Sequence, residues 1–216
     1  MIGNSKRLAT VFNAFVIRLQ SAVMHDKMMR LIHPQADWHT IELKAAALAQ
    51  ELVPATADLL ICDHLSGYVP DMPAFLAKWV GVLKPGGWLA VRDTVVPGSR
   101  LRGKKANLQR RAGAYVNVLL RMVAGGNGRY LSADEWLDAL RVVNISSIKY
   151  ETNRREIGFN EWIQSANLTP LAQTRLRAML KQTPEPVTAA LTPTWANDRI
   201  TLFFTDIVLV GRLEAY

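Results

Sequence analysis

The sequence predicts an α/β protein built on a doubly wound, mostly parallel sheet, and three consecutive stretches carry that prediction. Residues 58–63 are an apolar run between two aspartates, typical of a parallel strand covered on both faces. Residues 71–83 have the apolar spacing of a helix, and residues 83–93 pass through Leu-Lys-Pro-Gly-Gly into a second apolar run. A strand, a helix, a glycine-containing turn and a strand make one crossover unit of a parallel sheet.

Local chemistry sets the limits of these elements. Asp71 is a favourable N-cap, and Pro73 falls in the first helical turn, where proline is tolerated. Lys84 is predicted to close the helix because Pro85 cannot continue it, and the glycine pair that follows permits the positive φ of a tight turn. Trp88 then begins the second strand.

The segments on either side are assigned in the same way. Before residue 58 the sequence predicts a strand near residues 15–17, a helix opened by His25 and a weakly alternating strand over 38–43. After residue 97 comes a predicted helical insertion, with one helix over 105–123 and a second opened by the Ser132–Glu135 capping box. The remaining predicted elements are a strand over 145–150, helices starting at 159 and 170, and a closing strand over 200–210.

Composition excludes several classes of protein. Half of the residues are hydrophobic, which is enough for a substantial core. Cys62 is the only cysteine, so neither a disulfide framework nor a cysteine metal site is expected, and no histidine spacing suggests a metal site. No apolar run approaches the ~20 residues of a membrane span. No signal peptide is recognised, so a cytoplasmic location is expected.

The formal net charge of +8 raises a separate question about partners. Much of the excess lies in basic residues between 100 and 111. Such a cluster is compatible with an anion, nucleic-acid or membrane-surface patch, or with a solvated helix face. Aromatic residues for base stacking are not interleaved, so nucleic acid is not the expected partner and the solvated face is favoured.

Residues 57–93, ADLLICDHLSGYVPDMPAFLAKWVGVLKPGGWLAVRD, resemble the central segment of class I S-adenosylmethionine-dependent methyltransferases. The downstream stretches YLSADEWLDAL and FNEWIQSA resemble the small-molecule, methyltransferase domain 11-like branch. The resemblance covers roughly residues 23–212 and implies a single domain over 1–216. Its parts are a cofactor half (1–97), the helical insertion (98–144) and C-terminal strands and helices (145–216).

The resemblance implies S-adenosylmethionine as cofactor, although the sequence departs from the family at the binding positions. The usual first strand has no room before Gly3, and the glycine loop is reduced to Gly3 and Ser5. The acid that accepts the ribose hydroxyls falls on a valine, with Asp26 three residues later, and the adenine-binding acid has Glu42 as its nearest counterpart. The end of the fourth family strand keeps its general form and implies further cofactor contacts from Cys62, Asp63 and Leu65.

The same resemblance supplies candidates for the chemistry. His64 follows the buried strand directly and is the candidate catalytic base, or a side chain packed beside the adenine. In the family the inserted helical region covers the acceptor, which makes Tyr115, Arg129 and Tyr130 candidate substrate contacts, with Tyr115 alternatively a core aromatic. Methyl transfer to a small-molecule acceptor is the first hypothesis for function. A non-catalytic, methyltransferase-like binding protein is the second, and a basic nucleic-acid binder is the third.

Overall fold

The computed structural model describes residues 11–18, 37–44, 54–197 and 199–214. The strands are β1 (Val11–Arg18), β2 (Asp37–Lys44), β3 (Ala57–Asp63), β4 (Leu83–Val95), β5 (Ile145–Gly158), β6 (Thr194–Ala196) and β7 (Arg199–Leu213). The helices are α1 (Met72–Val80), α2 (Lys104–Ala124), α3 (Ala133–Val142), α4 (Phe159–Ser165), α5 (Pro170–Lys181) and α6 (Glu185–Leu191). The predicted helix at His25 and the predicted lack of a strand before Gly3 concern residues outside the described ranges.

The described strands form one sheet in the order β2-β1-β3-β4-β7-β5, with the short β6 paired to β7. Pairing is parallel from β2 to β4, and β7 then runs antiparallel to β4, β5 and β6. This arrangement, with the helical insertion after residue 97, confirms the predicted doubly wound α/β class. Because β1, β3 and β4 are parallel, their carboxyl ends meet at one edge of the sheet, where ligands bind in this class.

Helix α1 begins where the sequence predicts. The Asp71 side chain accepts a hydrogen bond of 3.0 Å from the Ala74 backbone N–H, and a proline occupies the first turn. The helix ends at Val80, four residues before the predicted closure at Lys84. Lys84 instead donates to both carboxylate oxygens of Asp58 at 2.8 Å, within a bulge at the start of β4.

The sequence predicts a separate turn over the Leu-Lys-Pro-Gly-Gly stretch, but the structure has a bulge within β4 there. Ala57 pairs with Leu83 and Leu59 pairs with Trp88, so residues 84–87 project from a strand that is already paired. Gly86 lies at φ +74°, a left-handed conformation that a side chain would strain. The glycine therefore lets β4 begin earlier than its apolar run does.

Helices pack on both faces of the sheet. On one face α1 and α3 cover β3, β4 and β7, with Trp79 and Trp136 almost completely buried. On the other face α2, α4, α5 and α6 enclose a second apolar cluster around Phe159 and Phe204. None of the described helices has the length and apolar character needed to cross a membrane.

Two C-terminal features differ from the sequence prediction. β5 continues to Gly158, eight residues beyond the predicted end at Tyr150, because residues 149–158 stay paired to β7 although most of them are exposed. Helix α6 was not predicted, since its seven residues include a proline and offer too short an apolar period. The extended part of β5 carries Arg155, which lines the cleft described next.

Candidate active site

A cleft of about 550 Å³ opens between the carboxyl ends of β3 and β4, the insertion and the β5–β7 pair. Its size is within the range of small-molecule sites. Charged, hydroxyl-bearing and aromatic side chains alternate around its wall. The lining residues are His64, Tyr68, Arg92, Thr94, Leu120, Val123, Ala124, Tyr130, Arg155, Trp162, Ser165, Ala166, Phe204 and Asp206.

His64 is the candidate base that the structure places in this cleft. It follows the last residue of β3 in a left-handed conformation (φ 52°), and its N–H donates to the Arg92 carbonyl at 2.7 Å. Its ring lies between two carboxylates, with Nε2 3.8 Å from Asp63 Oδ1 and Nδ1 4.0 Å from Asp93 Oδ1. Burial lowers the pKa of His64 below its ordinary value, so the ring is neutral at neutral pH and can accept a proton.

A buried ion pair supports the floor of the cleft. Arg92 Nε donates to Asp63 Oδ1 at 2.7 Å, and Nη2 donates to Oδ2 at 3.1 Å. Side-chain exposure is 18% for Arg92 and 5% for Asp63. Because this bidentate pair connects the last residue of β3 to β4, it fixes the backbone from which His64 projects.

Asp93 lies behind His64 and is completely buried. Its Oδ2 accepts from the Ser66 N–H at 2.9 Å and its Oδ1 from the Thr94 N–H at 2.8 Å. Burial raises the pKa of Asp93 to about 7, despite these hydrogen bonds, which act in the opposite direction. The carboxyl group beside His64 therefore changes charge close to neutral pH.

This raised pKa predicts a pH-dependent stability. Folded Asp93 holds its proton up to about pH 7, whereas the unfolded chain releases it near the ordinary value of 3.8. The stabilising contribution is therefore complete below pH 3.8 and is lost as the pH rises through 7. We expect it to account for up to about 4 kcal/mol of unfolding free energy.

Urea unfolding at several pH values between about 5 and 8 measures this effect. The difference in unfolding free energy between the wild type and Asp93→Asn isolates Asp93 from other titrating groups, including His64. We expect the wild type to become less stable relative to Asp93→Asn as the pH rises. The exposed Asp138→Asn variant is the control and should show no such shift. An Asp93→Asn protein with the wild-type pH dependence would contradict the assignment.

A second ion pair forms the wall opposite His64. Asp206 on β7 accepts from Arg155 Nε at 2.6 Å and Nη2 at 3.2 Å, and its Oδ1 also accepts from the Thr94 hydroxyl at 2.8 Å. Burial alone would raise the pKa of Asp206, but the hydrogen bonds and charge of Arg155 lower it below the ordinary value. Asp206 is therefore ionised at neutral pH, and its charge is balanced by that of Arg155.

The loop between α2 and α3 roofs the cleft. Asn117 on α2 holds Tyr130 by two 2.8 Å hydrogen bonds, one from its side-chain amide to the Tyr130 carbonyl and one from the Tyr130 N–H. The Gly128 N–H donates to the Gly67 carbonyl at 3.0 Å, which joins this loop to the segment after His64. A Cβ on Gly128 would collide with the Ser66 carbonyl, so only glycine permits this approach.

Among the residues singled out from the sequence, the structure brings His64 and Tyr130 to the cleft. Asp63 lies beneath them in its ion pair, and Cys62 and Leu65 are buried in the core. The two other acceptor candidates are elsewhere. The Tyr115 hydroxyl donates to the Met179 carbonyl at 2.9 Å, between α2 and α5, and Arg129 pairs with Glu135 at 2.8 Å, away from the cleft lining.

The cofactor candidates fall mostly outside the described ranges. Gly3, Ser5 and Asp26 are not among the described residues. Glu42 lies on β2, opposite Val16 of β1 and two residues before β2 ends. Its position near the carboxyl end of a parallel strand agrees with the edge at which the cleft opens.

The polar lining residues that were not among the sequence candidates are Tyr68, Arg92, Thr94, Arg155, Ser165 and Asp206. Three of them had a visible signal. Arg92 and Thr94 end an apolar strand, and Thr205-Asp206 interrupts the apolar character of the last strand. Nothing local identifies Arg155, which reaches Asp206 only because β5 pairs with β7 along its exposed half.

Comparison with known proteins agrees with this fold. Residues 7–91 match a family model described as "Methyltransferase domain". Comparison with curated protein sequences gives no significant match.

Two solved structures are similar over almost their whole length. One, from Bacillus halodurans, is provisionally described as a methyltransferase and is 13% identical, with a TM-score of 0.77 over 94% of this chain and 92% of that one. The YcgJ protein of Bacillus subtilis is 12% identical, with a TM-score of 0.73 over 95% and 93%. Residues 7–91 therefore resemble a methyltransferase domain, and the chain shares its overall fold with these two structures.

Proposed function

We propose that this protein transfers a methyl group from S-adenosylmethionine to a small-molecule acceptor. The observation that carries the proposal is a neutral, partly exposed His64 at the carboxyl end of β3, facing a cleft of small-molecule size. The methyltransferase-domain match covers the strand that bears this histidine. The proposed organisation is a single domain with its cofactor half over residues 1–97, and a cytoplasmic location stays a prediction.

The charges of the cleft fit a sulfonium donor. Each arginine in the described lining is paired with a carboxylate, Arg92 with Asp63 and Arg155 with Asp206. A positively charged ligand therefore meets balanced charge rather than repulsion on this side. Gly3, Ser5, Asp26 and Glu42 are the proposed cofactor side, and the end of β3 from Cys62 to Leu65 is the proposed boundary with the acceptor.

The chain's own contribution is to position the acceptor and remove one proton. S-adenosylmethionine supplies the methyl group. An O–H or N–H acceptor must lose a proton as its new bond to carbon forms, and neutral His64 can take that proton. The Asp63 carboxylate, 3.8 Å from Nε2, favours the imidazolium that results.

The acceptor side suits a compact molecule with an apolar body and a polar reacting group. Trp162 and Phe204 pack edge to face at 5.1 Å between ring centroids, and both line the cleft. The roof at Tyr130 limits the length of a bound molecule. Tyr130 is the proposed acceptor contact, and Tyr115 and Arg129 are proposed to act only through the packing of the insertion.

Calorimetric titration with S-adenosylmethionine and with S-adenosylhomocysteine tests the proposal. We expect saturable heat from both at ligand concentrations up to about 300 μM. Absence of heat from both would reject the proposed function. Binding without any methyl transfer across a panel of small acceptors would favour the non-catalytic alternative instead.

Two variants identify the acid that serves the cofactor. If Asp26 accepts the ribose hydroxyls, Asp26→Asn weakens binding by about tenfold or more, because a charge-assisted hydrogen bond is lost. Glu42→Gln has that effect if Glu42 is the acid. Asp71→Asn, at the cap of α1, is the control and should bind as the wild type does.

A further inference from the structure

Positive charge is concentrated in the first part of the helical insertion, before its acidic residues Asp134, Glu135 and Asp138. Residues 94–133 contain eight lysines and arginines and no aspartate or glutamate, which equals the formal net charge of +8. Most of these residues lie on α2 and the loop that leads into it. The proposed methyl transfer uses none of them, so the charge calls for a separate explanation.

Several of these cations project from the surface without a carboxylate partner. Arg100 pairs with Asp138 at 2.8 Å, and Arg110 donates to the carbonyls of Ser99 and Leu101. In contrast, Lys104, Lys105 and Arg111 are exposed and form no ion pair with any residue in the described ranges.

Apolar side chains are exposed among these cations. Leu101 is 73% exposed, Leu108 38% and Val118 49%. Lys104, Leu108, Arg111 and Val118 are spaced by four, three and seven residues, so they share one side of α2. We call this side, together with Leu101 and Lys105, the basic-apolar face.

Leu108 is exposed on α2 although it is apolar. In the structure it borders a groove of about 480 Å³ between α2 and the segment from Pro184 to Val187. The groove has a mainly apolar wall and is open to solvent, with Arg111 at its edge. An exposed apolar strip framed by lysine and arginine is the pattern of a helix that lies in a membrane interface.

We infer that the basic-apolar face of α2 binds the surface of an anionic lipid membrane. The cations approach lipid phosphates, and Leu101, Leu108 and Val118 enter the boundary of the acyl region. A nucleic acid offers phosphates but no apolar layer for these three side chains. Tyr115 lies on this side of α2, but its hydroxyl donates to the Met179 carbonyl, so its ring is not free to stack on a base.

The same helix contributes to the cleft. Leu120, Val123 and Ala124, in its last turns, line the cleft wall. A membrane held against α2 would therefore lie one helix away from the site. The inference does not depend on methyl transfer, because binding to lipid requires only this surface.

Vesicle flotation with the full chain tests the inference. The vesicles contain phosphatidylcholine alone or with about 25% phosphatidylglycerol, at about 50 mM and about 300 mM salt. We expect binding only to the anionic vesicles, weakened at the higher salt. Lys104→Gln combined with Arg111→Gln should reduce partitioning by about 25-fold, since each cation contributes about fivefold.

Matched variants separate charge from apolar insertion. Lys149→Gln with Arg199→Gln removes the same charge elsewhere and should retain nearly wild-type binding. Leu108→Ser with Val118→Ser should reduce binding by about tenfold, whereas Val142→Ser with Tyr150→Ser should not. Circular dichroism confirms that each variant is folded.

Three results would overturn the inference. The first is equal binding to neutral and anionic vesicles, and the second is equal loss in the face and control variants. The third is binding to an oligonucleotide that is as tight as binding to anionic vesicles and is unaffected by the two serine substitutions on α2. That last result would indicate a nucleic-acid surface instead.

Discussion

Arg92→Met is expected to destabilise the protein by about 3 kcal/mol, measured as unfolding free energy in urea. The substitution keeps most of the side-chain volume but removes both hydrogen bonds to Asp63, whose side chain is only 5% exposed. The carboxylate is then left buried without its main counter-charge. Removing Arg92 alone should therefore lower the unfolding free energy by much more than the intact ion pair contributes to it.

Two further variants test that explanation. Asp63→Asn combined with Arg92→Met removes both charges and should recover much of the lost stability, because no buried ion remains uncompensated. Lys84→Met breaks an ion pair of similar length, but Lys84 is 41% exposed and Asp58 20%, so a change of at most about 1 kcal/mol is expected. Equal effects of Arg92→Met and Lys84→Met would contradict the importance of burial.

The elements of this fold that the sequence predicts correctly are those defined by local chemistry. The Asp71 cap and the Ser132–Glu135 capping box each depend on residues a few positions apart. The exposed half of β5 depends instead on its pairing with β7, which no local pattern reveals. The bulge at Lys84 likewise involves a contact distant in sequence, because Lys84 donates to Asp58, 26 residues earlier.

The candidate site follows the same division. His64 could be found because it directly follows an apolar strand, and the carboxyl ends of parallel strands meet at one edge. The pairing of Arg155 with Asp206 joins two strands that are 51 residues apart in the chain. Tyr115 and Tyr130 are equally plausible in sequence, but hydrogen bonds to Met179 and Asn117 orient them toward different parts of the molecule.

His64→Asn is expected to lower kcat at pH 8 by about 100-fold or more, which is the contribution of a positioned general base. Asparagine tolerates the left-handed conformation that His64 adopts at φ 52°, so the loop should keep its shape. The wild-type kcat/KM should show an acidic limb that lies below the ordinary pKa of histidine, because burial lowers the pKa of His64 and the neutral ring is protonated only at more acidic pH. His64→Asn should lack that limb, and its cofactor binding by calorimetry should be unchanged.

Tyr130→Phe is the control for this assignment, because Tyr130 is the other proton-bearing candidate that lines the cleft. Burial and the nearby charge of Asp93 raise the pKa of Tyr130 well above its ordinary value, so its phenol stays protonated at pH 8 and cannot act as the base. A loss of less than about tenfold in kcat is therefore expected from removing the hydroxyl. If kcat fell more in Tyr130→Phe than in His64→Asn, and both variants kept the acidic limb of kcat/KM, then His64 would not be the base.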